Sequence, residues 1–408
     1  MRLSSFTASS RSVRAQSANF GGGVPERIEG RGRMKVVGNP IWLLTLVVAS
    51  CATGVHAAGS EFYGPLRMRD LTPFGFLRLD MRPAHAVAME PRTWAFEAEL
   101  GYQNTWAMSP EVEQYLNALA PQGRRPLGPA ELQAIRNLPG ENYLVDMESA
   151  LLDLNLHYKF SKRLSGFFIA SVVSYRGGFL DGGIEVFHEA FGFSNFGRPA
   201  VRRNDVNILY DLKSVQYASF GAPIDGGLMD PTLGLRYAGF TLPGEWSLVV
   251  EGAIQIPVAG RRELLSTGRA NYGVQLSLQR RRRHHAWYLD LAGVYYAGAD
   301  SPVPEGSRVI PTLILGYERR LGARTNLNLQ GYVSQSVYSH RQTDLDELRG
   351  GKYQLSAGVR HRTGNLLLSF GVTENLQNFN NTPDVGFQLG LAYVPARIRP
   401  AGITLALR

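Results

Sequence analysis

The stretch RTWAFEAELGYQNTWAM, residues 92–108, decides the fold. Trp94, Phe96, Ala98, Leu100, Tyr102 and Trp106 fall on one face of an extended chain, and Glu97, Glu99, Gln103 and Thr105 on the other. A period of two makes a two-sided strand. The alternation returns at 143–160. There Ala150, Leu152, Leu154, Leu156, Tyr158 and Phe160 oppose Ser149, Asp153, Asn155, His157 and Lys159, broken only by Leu151. Further segments near 165–176, 229–240, 246–257, 271–281, 286–297, 308–318, 325–338, 352–362, 366–373 and 385–394 raise the count to twelve. An even number is what single-chain bacterial outer-membrane barrels have.

The connectors sort into two classes. Short ones occupy 161–164, 241–245, 282–285, 319–324 and 363–365; long ones occupy 109–142, 177–228, 258–270, 298–307, 339–351 and 374–384. They alternate throughout. Tight periplasmic turns and long extracellular loops are the pattern of a transmembrane barrel, whereas a soluble sandwich has no reason to sort its loops. Aromatics mark the same axis. Trp94, Tyr158, Phe160, Tyr237, Trp246, Trp287, Tyr317 and Tyr393 gather at the short-turn ends, and Trp106, Tyr175, Tyr272, Tyr295, Tyr338 and Tyr353 at the other. The fold class is all-β: a transmembrane antiparallel β-barrel of about twelve strands, within a range of ten to fourteen, carrying short helices in its long loops. The location that follows is the outer membrane of a Gram-negative bacterium.

The rest of the chain frames this barrel, placed at 92–394. Met34 and Lys35 open a short basic region, followed by the apolar run 41–49 and small residues ending at Ala57 and Ala58. That is a secretory signal peptide at 34–57. Residues 1–33 are polar and patternless, a mis-assigned start or a disordered extension. Cys51 is the only cysteine; Val48, Ala49 and Ser50 before it resemble a lipoprotein cleavage box, so lipidation and loss with the leader are the two alternatives. Removing residues 1–57 lowers the formal charge from +9 to about +4, which takes away the case for a nucleic-acid partner. Residues 58–91 form an N-terminal segment in which Leu77, Leu79 and Met81 alternate with Arg78, Asp80 and Arg82. A periplasmic segment, a lumen plug and an extra strand are the alternatives there. A tail at 395–408 could pair as a further strand.

In lipid the apolar face must point outward, so charged strand residues line the lumen. The candidate pore-lining set is Glu97, Glu99, Asp153, His157, Lys159, Arg236, Glu251 and Asp290. A narrow pore lined with both signs and an occluded, ion-paired core are the two readings. Within 177–228, Ile184, Phe187 and Phe191 recur at helical spacing with Gly192 as cap, and together with His188 they are the candidate gate or plug. A second helix is expected over 129–137.

The run 177–193, GGFLDGGIEVFHEAFGF, resembles the signature of an uncharacterised family of Gram-negative outer-membrane proteins, domain of unknown function 3187. The segment 64–75 resembles that family's opening, and the resemblance spans roughly 62–394. It implies an outer-membrane barrel and transfers no functional residues.

No nucleophile elbow is present. His157 is placed inside, His361 outside near the periplasmic end, and Ser171 outside without an outward His on the preceding strand. The protein is therefore expected not to be an enzyme, with a lipid hydrolase as the third reading. Neither cofactor nor metal is implied: His284 and His285 are adjacent and diverge in an extended chain. The expected partners are outer-membrane lipid, a small solute, and the barrel-assembly and periplasmic chaperone machinery during biogenesis; the barrel is expected to be a monomer. The leading function is a narrow channel or solute-binding barrel gated by the 177–228 loop, and the competing one a non-transporting surface or structural barrel.

Overall fold

The computed structural model describes residues 62–70, 75–83, 91–259, 264–300, 304–377 and 384–393. The expectations for the leader, Cys51 and the tail lie outside the described residues.

Fifteen strands are formed among the described residues: β1 (Trp94–Met108), β2 (Asn142–Lys159), β3 (Leu164–Arg176), β4 (Asn207–Leu212), β5 (Val215–Phe220), β6 (Gly226–Leu228), β7 (Thr232–Leu242), β8 (Trp246–Gln255), β9 (Asn271–Arg281), β10 (His285–Tyr296), β11 (Arg308–Arg320), β12 (Thr325–Ser334), β13 (Lys352–Thr363), β14 (Leu366–Gln377) and β15 (Val385–Tyr393). Twelve of them close a ring in which every neighbour is antiparallel: β1, β2, β3, then β7 through β15 and back to β1. The closing seam pairs Phe96 with Tyr393 and Asn104 with Val385. No ring strand is left with an unpaired edge, which lipid would penalise. Residues 75–83 contribute no strand to the ring.

The alternation read from the sequence sets the two faces. Along β1 the outward residues Trp94, Phe96 and Leu100 are exposed, and the inward Ala95, Glu97 and Glu99 are buried. Trp94 meets Tyr158 at 4.4 Å and Trp287 meets Tyr317 at 4.6 Å, both pairs tilted, at the short-turn end. Tyr272 and Tyr295 meet at 6.5 Å at the opposite end. Three aromatics expected in that second girdle belong elsewhere: Trp106, Tyr175 and Tyr338 are buried.

The long loops carry the remaining structure. Helices α1 (Pro110–Leu119) and α2 (Pro129–Arg136) fill the first, α3 (Asp181–Phe191) begins the second, and α4 (Asp346–Arg349) lies in the fifth. Pro110 and Pro129 each start a helix, where the missing N–H costs nothing. Beyond α3 the chain forms the hairpin β4–β5, whose first strand pairs with the Asn142–Asp146 end of β2 and lengthens the barrel wall.

Candidate functional site

The lumen holds the chain's own N-terminal segment. Tyr63 N and Gly64 N donate to the two carboxylate oxygens of Glu318 at 2.8 and 3.1 Å. The Arg360 guanidinium answers by donating to the carbonyls of Tyr63 and Pro65 at 2.7 and 3.0 Å. Glu318 and Arg360 sit close to short turns, so the segment begins at the periplasmic end. It then climbs. Arg67 pairs with Glu97 at 3.2 Å and Arg69 with Asp153 at 3.3 Å. Asp70 receives Lys352 Nζ at 2.6 Å and Arg78 at 3.3 Å. Phe76 stands beside Tyr175, ring centroids 6.1 Å apart. The chain returns to Arg82, which holds Glu99 at 3.1 Å and Asp153 at 2.5 Å. The barrel wall is cut away to admit it: a Cβ on Gly273 would stand 2.5 Å from Met81 Sδ.

The extracellular half of the lumen is closed by apolar side chains. Phe76 and Leu77 join Tyr143, Val145, Met147, Leu151, Val173 and Tyr175 from β2 and β3 in one buried cluster. Ile208 and Tyr210 of β4, together with Ile310, Tyr338 and Leu348, belong to the same cluster. A core of this kind excludes water by area alone. Inside the lumen, the amides of Gln103, Asn155 and Gln330 are buried without a bonded partner among the described residues, so they call for water.

All eight sequence-predicted lumen residues face inward, but they do not line one clear passage. Glu97, Glu99 and Asp153 are consumed by Arg67, Arg69 and Arg82. Arg236 and Glu251 pair across neighbouring strands at 2.6 Å. His157 lies 3.9 Å from Glu97, while Lys159 and Asp290 are buried in the wall. The reading of the wall missed the cations that answer its carboxylates. The signal available was the charge alternation of Arg78, Asp80 and Arg82, with Arg67 and Arg69 before it.

The first part of the 177–228 loop, which carries α3, packs on the outside of the ring, whereas β4 from its second part sends Ile208 and Tyr210 into the lumen cluster. Glu148, an outward residue of β2 opposite Asn104, accepts Phe179 N at 3.0 Å and Leu180 N at 2.6 Å. Phe179 stacks on outward Tyr102 at 5.2 Å. Arg198 lies over the outward Trp106 ring at 4.9 Å and ties Asp181 to Asp384. Of the candidate gate residues, Ile184 faces the barrel and is buried, His188 is half-buried, and Phe187 and Phe191 point away from it. None of the four enters the lumen cluster. The motif is a docking device: Gly178 has φ +74° and any Cβ there would overlap the Glu148 carboxylate at 1.9 Å, and Gly177 lies against the Asn204 carbonyl. Burial alone would raise the Glu185 carboxyl; Arg203 and Arg124 outweigh it and hold it below the usual range. Burial pushes the Asp384 carboxyl up despite Arg198, and pushes the His188 ring down.

Ser171 corrects one expectation. It faces the lumen, not lipid, and donates to Asp153. Its partner strand position is Asp153 itself, an inward residue, which fixes its direction.

A closed antiparallel ring of twelve strands with an apolar exterior and aromatic rims defines an outer-membrane β-barrel. The chain belongs to the family described as Protein of unknown function (DUF3187), whose model matches residues 135–394. The segment 64–75 lies outside that match. No protein of curated function matches the chain. Among solved structures it is similar to the COG4313 outer membrane channel from Pseudomonas putida F1, at 12% identity and TM-score 0.48, covering 77% of this chain and 98% of that one. It is also similar to the Ralstonia pickettii toluene transporter TbuX, at 11% identity and TM-score 0.33, covering 76% and 90%. The Escherichia coli outer membrane phospholipase A, as an active-site mutant, matches at 12% identity and TM-score 0.32, covering 76% and 93%. The likeness is one of fold.

Proposed function

We propose that this protein is a surface barrel of the outer membrane that stands closed, its lumen stoppered by its own residues 62–70 and 75–83. The observation that carries this reading is that both halves of the lumen are occupied: ion pairs to the N-terminal segment below, a continuous apolar cluster above. The expectation of a gate in the 177–228 loop does not fit α3, which packs on the outer wall.

A second reading has one observation in its favour. Beside its apolar contacts the segment meets the wall through ion pairs at Glu97, Glu99 and Asp153, and water can replace those pairs if the segment withdraws. The unmet amides of Gln103, Asn155 and Gln330 mark where that water would start. On this reading the barrel passes a small solute when the segment is displaced. Planar-bilayer conductance of the refolded mature protein tests both. Silence from the wild type supports the closed barrel. Current from a variant lacking 62–83 makes the segment a removable stopper. Discrete steps from the wild type would overturn the proposal.

A further inference from the structure

Helix α3 is built inside out. A loop helix packed on a protein in water hides its apolar side and shows its charges. Here two of the three acidic residues are hidden, Asp181 at 5% and Glu185 at 2% exposed, and only Glu189 reaches the surface. The apolar residues are shown: Val186 is 64% and Phe191 56% exposed, with Phe187 on the same side and Phe179 just before the helix at 70%. Phe187 touches Phe191 at 4.7 Å and lies 6.2 Å from Phe193, so these rings form one patch rather than scattered residues. Contiguous exposed apolar surface of this kind marks contact with another medium or molecule.

The position of the patch selects the medium. Phe179 stacks on Tyr102, and Tyr102 ends the outward row Trp94, Phe96, Ala98 and Leu100 that faces lipid. Trp94 to Tyr102 is eight steps, roughly 26 Å along the strand at strand rise and about 20 Å of height at a barrel strand's tilt, most of the apolar band of an outer-membrane barrel. The patch therefore continues the lipid-facing belt at its extracellular rim. Guanidinium groups border it. Arg176, outward and exposed, stands across the strand pair from Glu148, and Arg203 reaches Glu185 with its side chain 47% exposed. Apolar rings beside half-exposed guanidiniums suit acyl chains below a phosphate layer.

We infer that α3 is an interfacial helix whose Phe179, Val186, Phe187, Phe191 face is seated in the outer leaflet, with lipid acyl chains as its occupant. The family's signature loop thus holds a lipid-contacting element on the barrel wall, fastened by Glu148 and Arg198. This accounts for a helix that buries carboxylates and leaves aromatics uncovered, and it is independent of whether the lumen conducts.

The test places a nitroxide at Val186→Cys in the otherwise whole mature barrel, refolded into phosphatidylcholine vesicles containing lipid A, with Cys51→Ser wherever Cys51 is retained. A matching label at exposed Asn117→Cys on α1 is the aqueous control. Heat-modifiable gel mobility verifies folding. The expected result is a label at 186 reached by oxygen and shielded severalfold, relative to 117, from a water-soluble nickel chelate. Phe187→Ser with Phe191→Ser should abolish that shielding while the barrel stays folded. Equal access of the chelate to both labels would overturn the inference. So would shielding that appears only at high protein-to-lipid ratio, which would assign the face to a second copy of this chain.

Discussion

Two pieces of this molecule, one inside the ring of strands and one on its outer wall, bury charged side chains. The N-terminal segment buries Arg67, Asp70, Arg78 and Arg82, and α3 buries Asp181 and Glu185. They differ in what they do with apolar side chains. Leu66, Met68, Leu79 and Met81 of the segment are as hidden as its charges, because the barrel wall surrounds it. The helix leaves Val186 and Phe191 uncovered, because only one of its sides meets protein. The contrast teaches where each piece draws its stability. The segment depends on charge partners held away from solvent; the helix depends on a few anchors at its base and on the medium around it.

The largest expected effect tests the segment. Arg82→Met takes from Glu99 its ion pair and leaves Asp153 with Arg69 alone, in a buried site where both carboxylates are beneath 6% side-chain exposure. Breaking a buried pair on one side costs on the order of 3–5 kcal/mol, and the urea midpoint of the vesicle-inserted barrel should fall accordingly. Adding Glu99→Gln should recover part of the loss. Arg203→Met is the parallel change on the helix. Its side chain is half in solvent and Arg124 stays on Glu185, so the cost is about 1 kcal/mol or less. Equal losses from the two variants would erase the distinction.

A middle effect tests the anchors. Gly178→Ala forces a side chain into φ +74° and into the Glu148 carboxylate. The left-handed backbone alone costs roughly 1–2 kcal/mol. Phe179 N and Leu180 N should lose Glu148, and trypsin should cut faster at Arg176, Arg202 or Arg203 while the ring remains intact. Unchanged cleavage would mean that the loop is held by its apolar contacts instead.

The ring was legible because a lipid-facing strand writes its two environments into alternate residues. β4 was not, and the reason is local: Ile208 and Tyr210 point into the lumen cluster while Leu209 packs under α1 and α2, so both faces are apolar and the period of two disappears. The existence of α3 was legible from the spacing of Ile184, Phe187 and Phe191, but its direction was not. Periodicity says which residues share a face, not which medium that face meets. The lumen carboxylates were identified singly, yet their cations were out of reach. Glu97 and Glu99 sit on β1, Asp153 on β2 and Glu318 on β11, and only ring closure brings them around one segment.

The smallest effect separates the lumen's paired carboxylates from one at the loops. Glu305 is buried near Tyr338, its backbone bridged to Ala299 in both directions, and neither of its carboxylate oxygens has a bonded partner among the described residues. Burial pushes its carboxyl up to about 8, with Arg308 opposing only in part. A carboxyl whose folded value lies above its unfolded one binds its proton more tightly when folded. Its contribution is therefore complete below the unfolded value near 4.5 and is lost as pH rises towards 8. Amide exchange at Ala299 and Glu305 should accelerate across that interval, and Glu305→Gln should flatten the profile by removing the titrating group. If exchange at residues 63–64 rose in parallel with exchange at Ala299, the loop and the segment would be opening as one unit, and the difference between the two regions would lie in their chemistry but not in their motion.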